Sequence, residues 1–359
     1  MSVPKTGERT CRAPRRLAIP LAVLLSFPPA ACGGGSSSGV PQGFGSDTPG
    51  GSGQPVYHVT SLADGGPGSL REAVSKGGRM VVFDVAGTIA VGGSIPVKGS
   101  FVTIDGTSAP SPGITLRGGG LRLNGRRTND VIIRGLRIRD PAPDGITVKQ
   151  GAQRILIDHV SVDGCRDGNV DITRGSHDVT VSWSILSGCA KNSLVKYGAV
   201  RVSFYRNVFV NSQWRNPWLN NVDDGHLAGD TTADVRNNLI WGWGDQGGGT
   251  GAECGAKVNL VGNYYSSPRT RPDRQAQAIV LSGCERGQPA LIHTAGNVSA
   301  DHLPFDLNSL GNAPAPFFAP PAFTEDACAA ASSALASAGA HPRDAIDSQH
   351  LASIRLACN

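Results

Sequence analysis

The sequence predicts an all-β chain, a single-stranded parallel β-helix closed at its N-terminal end by a short capping helix. The main observation is an apolar octad that recurs through the centre of the chain. It reads VIIRGLRI from Val131, ILIDHVSV from Ile155, VTVSWSIL from Val179, VSFYRNVF from Val202, ADVRNNLI from Ala233 and VNLVGNYY from Val258. The starts lie 24, 24, 23, 31 and 25 residues apart. Octad positions 1, 3 and 8 are apolar or aromatic, the alternation of a strand with one buried face, followed by a turn. No helix-length amphipathic pattern separates the octads, which excludes βαβ crossovers. A period near 24 built of short strands is that of stacked parallel coils. Position 6 supports the same register independently. It runs Leu136, Val160, Ser184, Asn207, Asn238 and Asn263, and the last three predict an asparagine ladder at a repeated turn whose left-handed backbone Asn tolerates.

The flanks divide the rest. Residues 1–32 read as an export leader: Arg12, Arg15 and Arg16 precede a short apolar run from Leu17 to Phe27, too short to span a membrane. Pro-Ala-Ala-Cys then ends at Cys32, which resembles a bacterial lipoprotein signal with Cys32 as the acylated residue, although Pro29 departs from the usual leucine. The expectation is export to the bacterial cell surface or periplasm, or secretion, with membrane contact only through that lipid. Residues 33–54, rich in Gly and Ser, read as a flexible linker. Residues 55–325 form the β-helix. In SLREAVSK, Ser69 and Glu72 frame a capping box that opens the helix covering the first coil. Residues 326–359, with an Ala-rich helical stretch, are expected to fold back on the body.

Five bases and one acid of the formal +5 chain lie within residues 1–31, so the remainder is nearly neutral and nucleic acid is not an implied partner. No oligomer interface is legible and a monomer is expected. Beyond Cys32 there are six cysteines, an even number in an exported chain, which suggests disulfides among 15 connectivities. Cys165 and Cys189 both stand ten residues after their octad starts, so adjacent coils bring them within bridging distance. Cys254–Cys284 and Cys328–Cys358 follow from sequence proximity.

The same count places charge. Asp144 and Arg215 lie thirteen residues after their octad starts, and Asp167 and Lys191 twelve, so four successive coils put a charge on one strip about 14 Å long. Asp171, in DGNVDI, lies four residues beyond Asp167. Three carboxylates without neighbouring His or Cys suit a hard cation such as Ca²⁺, with water and an acidic ligand completing its shell. Lys191 and Arg215 then add positive charge, so the strip suits a carboxylated polymer. Trp214 and Trp218 flank Arg215 and could stack on sugar rings. Trp183, Trp241 and Trp243 read as packing, and His159 as a turn residue.

On these residues, above all ILIDHVSVDGCRDGNVDITRGS from Ile155 and VSFYRNVFVNSQWRNPWLNN from Val202, the chain resembles the pectate lyase family of right-handed parallel β-helix polysaccharide lyases. The resemblance implies calcium at Asp144, Asp167 and Asp171, a substrate-contacting Lys191 and a catalytic Arg215 within RNPW. It implies Ca²⁺-assisted β-elimination of polygalacturonate. Two positions depart: a further family acid is Ala142 here, and a second family arginine falls near Asn220. Two other readings stand beside it. A glycoside hydrolase would need paired carboxylates, for which Asp223 and Asp224, with His226 nearby, are candidates. A non-catalytic glycan-binding β-helix would explain the tether but not the order of acids and bases.

Overall fold

The computed structural model describes residues 41–222, 231–244, 248–268, 277–282, 284, 289–301, 312–320 and 322–358. Cys32, the leader, Asp223, Asp224 and His226 lie outside the described residues. The chain winds as a right-handed parallel β-helix whose three sheets hold ten, nine and eight strands, and each strand pairs with its counterpart one coil away. Val131 pairs with Ile155, Ile155 with Val179, Val179 with Val202, Val202 with Ala233 and Ala233 with Val258, so the octad starts are in register across six coils.

The octad itself differs from the expected strand and turn. Its first four residues belong to the first sheet, as in Asn129–Arg134, and its last three to the second sheet, as in Leu136–Arg139. Between them one residue turns the corner in the left-handed region: Gly135, His159, Trp183, Arg206, Asn237 and Gly262, all at φ between 47° and 66°. The left-handed residue is thus position 5, one before the asparagines. Most of these side chains are not glycine and bear a cost of about 1 kcal/mol each for that conformation. Stacking offsets it, for His159 lies parallel to Trp183 with ring centroids 5.9 Å apart, and the Arg206 guanidinium covers Trp183 at 4.9 Å.

Position 6 then forms the ladder. Asn207 Nδ2 donates to Asn238 Oδ1, Asn238 to Asn263 and Asn263 to Asn297, each at 3.0 Å. Each Oδ1 also accepts the backbone N–H of the residue below, as Asn238 Oδ1 does from Asn207 N at 2.9 Å. Inside the coil, Val131, Ile133, Ile155, Ile157, Val179, Val181 and their third-sheet counterparts form one continuous apolar column.

The N-terminal end and one flank are covered. Ser69 caps helix α1, Leu70–Ala73, by accepting from Glu72 N, and Leu70 and Ala73 are buried over the first coil. Helices α2, Ala327–Ser337, and α3, Ala345–Ala352, lie on the outer face of the second sheet. There Ala327, Ala331 and Ala334 pack with Ile185, Val208 and Leu239. Cys328–Cys358, with Cα atoms 5.8 Å apart, ties this segment's ends, and Cys254–Cys284 is also formed. Arg139 is 1% exposed and meets Asp344 and Asp347 at 2.9 and 2.8 Å, which pins α3 to the second sheet.

The linker is corrected in part. Residues 43–51 lie against the first sheet: Gly45 N donates to Thr180 Oγ1 and Gly51 N to Thr103 Oγ1, both at 2.8 Å. The glycines serve approach rather than flexibility. A Cβ on Gly45 would come within 2.3 Å of the Ile155 carbonyl oxygen.

Replacing Asn238 by Ala should destabilise the protein by about 3 kcal/mol, because buried amides on both neighbouring coils lose their partners. A chemical-denaturation midpoint measures this, and an unchanged midpoint would show that the ladder adds nothing to stability.

Candidate functional site

The site sits where each coil turns from the second sheet to the third. Gly-rich and Asn-containing segments fold this turn, and a second asparagine ladder sets its shape. Asn169 Nδ2 donates to Asn192 Oδ1 at 3.0 Å, and Asn192 Nδ2 to Asn216 Oδ1 at 2.9 Å. All three are buried, and they follow Asp167, Lys191 and Arg215 by two, one and one residues. The sequence carries this ladder as an Asn one or two residues after Asp167, Lys191 and Arg215, with none after Asp144. Behind it Cys165 and Cys189 are bridged across adjacent coils, Cα to Cα 5.3 Å.

These turns hold the charges in specific pairings, with Lys191 level with Trp214 on the next coil. Gly168 N and the Thr147 hydroxyl donate to Asp144, at 3.1 and 3.2 Å. Asp171 stands on the third-sheet strand Val170–Thr173, level with Thr147 one coil below. Burial, then the charge of Asp144, push its carboxyl up to about 7, and Arg215 opposes that rise. Burial likewise raises the Asp144 carboxyl, against the hydrogen bonds from Gly168 and Thr147. Asp167 is held differently, with Lys191 Nζ 2.7 Å from its Oδ1.

Asp144, Asp167 and Asp171 are expected to share a cation with water and an acidic ligand, and Lys191 already engages Asp167. Among the described residues no group of three or more His, Cys, Asp or Glu side chains is arranged to hold a metal. The donor chemistry fits a hard cation: Asp144 and Asp171 offer only oxygen, burial raises both carboxyls, and the charge of Asp144 adds to the rise at Asp171, which a bound positive charge would relieve.

Arg215 occupies the left-handed region at φ 64°, unusual for a long side chain. Its guanidinium lies 4.5 Å over the Trp214 ring, and its buried Nε has no hydrogen-bond partner. Trp214 is half-buried and meets Trp218 edge-on, ring centroids 5.8 Å apart. Trp218 corrects the sugar-platform reading: it is 8% exposed, so little of its ring is open to a ligand. It presses on Gly251, where a Cβ would lie 2.0 Å from the indole. Its Nε1 donates to Glu253 Oε1 at 2.9 Å, and the Asn220 amide donates to the same oxygen. Glu253 was missed at the sequence level because its row is set by coil pairing with Asn220 across the long 31-residue repeat. Trp183 and Trp243 are packed inside, as read.

The comparisons agree with this architecture. No protein-family model matches the chain. It is 36% identical over 241 residues to a probable pectate lyase C of Aspergillus terreus, covering 64% of this chain and 54% of that protein. A probable pectate lyase C of Emericella nidulans is 35% identical over 259 residues, 69% of this chain and 54% of the relative. The chain thus spans about half the length of these curated relatives. Among solved structures, the major allergen from cedar pollen superposes with a TM-score of 0.69 at 22% identity, covering 84% of this chain and 92% of that one. A pectate lyase from Bacillus sp. N165, in complex with trigalacturonate, gives a TM-score of 0.62 at 20% identity, covering 83% and 98%. The resemblance to pectate lyases is borne out by the sequence relatives, and the fold by the structures. The sequence relatives named are fungal, and they lend no support to a bacterial lipid anchor at Cys32.

Replacing Glu253 by Ala should remove the acceptor shared by Trp218 and Asn220 and lower stability by about 1–2 kcal/mol, with a change in tryptophan emission. Glu253→Gln, which keeps a carbonyl oxygen, should restore most of both. Equal behaviour of the two variants would show that the acceptor is immaterial.

Proposed function

We propose that the chain cleaves pectate-like polyuronides by β-elimination. One observation carries the reading: an acid pair, a lysine and an arginine follow one another on successive coils, in a chain whose sequence relatives are named pectate lyases. Abstracting the proton at carbon 5 of a uronate builds negative charge on the adjacent carboxylate. Groups that meet this charge more strongly in the transition state than in the ground state accelerate the reaction.

In this reading Lys191 stabilises the developing charge, which requires it to exchange Asp167 for the uronate carboxylate. Arg215, having first released one guanidinium proton to solvent, takes the carbon 5 proton; the bond to the oxygen at carbon 4 breaks, that oxygen leaves with a proton from water, and an unsaturated sugar end results. The role of base comes from the family resemblance. The unpartnered Nε supports an arginine poised for a ligand. Trp214 holds the guanidinium from one side. Asp144, Asp167 and Asp171 are the residues that would hold Ca²⁺, which supplies charge neutralisation at the uronate carboxylate when bound. Export through residues 1–32 accords with the three disulfides, which persist in oxidising compartments. Acylation of Cys32 and a monomeric state belong to the same proposal.

Polygalacturonate treated with the purified protein should yield ultraviolet-absorbing unsaturated product, and chelation should abolish it. Arg215→Lys should lower turnover by about 10³-fold and Lys191→Ala by about 10²-fold. Activity indifferent to chelator would remove the calcium assignment. Release of saturated sugars only would point instead to a hydrolase.

A further inference from the structure

A second concentration of charge lies away from the strip, between the outer face of the second sheet and the C-terminal segment. A cavity of about 260 Å³ opens there, lined by Arg117, Arg137, Arg139 and Arg343, with Asp344 as its one acid and Thr88 on its wall. Two of the arginines are neutralised. Arg139 chelates Asp344 with Nε and Nη2 at 3.0 and 2.9 Å, and Arg117 meets Asp140 at 2.5 Å. Arg343 caps α2 by donating to the carbonyls of Leu335 and Ala338.

Arg137 is different. It is 3% exposed, and its Nε and Nη1 donate to the Thr115 hydroxyl at 3.0 Å and the Pro342 carbonyl at 2.7 Å, while Nη2 donates to the Pro112 carbonyl. All three acceptors are neutral, two of its five N–H groups are uncommitted, and no carboxylate touches it among the described residues. A buried cation without a contacting counter-charge is costly. Burial draws the guanidinium pKa down at both Arg137 and Arg343, opposed in part by the charges of Asp344 and Asp347 at Arg137 and of Asp347 at Arg343.

We propose that this cavity binds a uronate monosaccharide through its carboxylate, with Arg137 as the principal partner. The cavity is near the lower end of small-ligand sites and has room for one sugar ring. A planar guanidinium suits a carboxylate, to which it can offer paired donors. The choice of a uronate among carboxylates rests on the proposed polyuronide reaction, which would supply such ends. The need for an anion does not.

The test uses the full chain carrying Lys191→Ala and Arg215→Ala, so that the charged strip cannot hold the ligand. Calorimetric titration with galacturonate should show one site, and galactose, which lacks the carboxylate, should bind at least tenfold more weakly. Adding Arg137→Gln should weaken galacturonate at least tenfold. Because Arg137 also ties the Pro342 segment, Thr88→Glu serves as a second variant. Thr88 is exposed at the cavity, and a glutamate there introduces a competing carboxylate without removing a bond made by Arg137. It should weaken binding at least tenfold at an unchanged melting temperature. Absent binding, equal binding of galactose, or undiminished binding in Thr88→Glu would overturn the proposal. Binding of inorganic phosphate but not galacturonate would overturn the uronate assignment. The unsaturated-product assay on the unaltered protein reports separately on the lyase reading, so either can fail alone.

Discussion

The structure depends on one constraint, the stacking of parallel strands at a single coil spacing of about 4.8 Å. The contacts between successive coils of the site, Lys191 with Asp167 and Gly168 with Asp144, owe their partners to that spacing and not to local sequence. Backbone ladders set the distance between coils. The asparagine ladders prevent slippage along the strands, since an amide that bonds both up and down the stack has only one register in which both bonds are made. A one-residue slip would turn the apolar column outward and separate the charged strip at once.

This scaffold tolerates unfavourable groups where a ligand is expected. Burial and the charge of Asp144 raise the cost of ionising Asp171, and Arg215 holds a left-handed backbone with an unpartnered Nε. Such features persist only where surrounding structure over-determines them. Here the disulfide between Cys165 and Cys189 and the Asn169–Asn192–Asn216 ladder sit directly behind the strip and supply that rigidity. Stable packing and reactive geometry are thus built from adjacent residues of the same turn.

The covers follow the same economy of shape. Alanines of α2 let a helix lie close on the second sheet, and glycines of residues 43–51 let an extended segment lie close on the first. In both places small side chains permit an approach that larger ones would block. Arg139, buried and paired with two aspartates, couples the C-terminal cover to the body. A single break there would expose uncompensated charge.

Period, register, the Cys165–Cys189 pair and the alignment of Asp144, Asp167, Lys191 and Arg215 were determined by the sequence itself, because a solenoid repeats and counting within a repeat is geometry. The tertiary structure decided what counting cannot reach. It moved the left-handed corner to position 5, since the backbone there is governed by the meeting of two sheets and not by the preference of one residue. It packed Trp218 against Gly251 and Glu253, a contact across a long repeat that no spacing rule covers. It placed Lys191 against Asp167, because opposite charges on adjacent coils attract. And it docked half of a Gly/Ser tract that composition reads as slack, because a bare backbone finds hydroxyls only when the sheet that presents them has already formed.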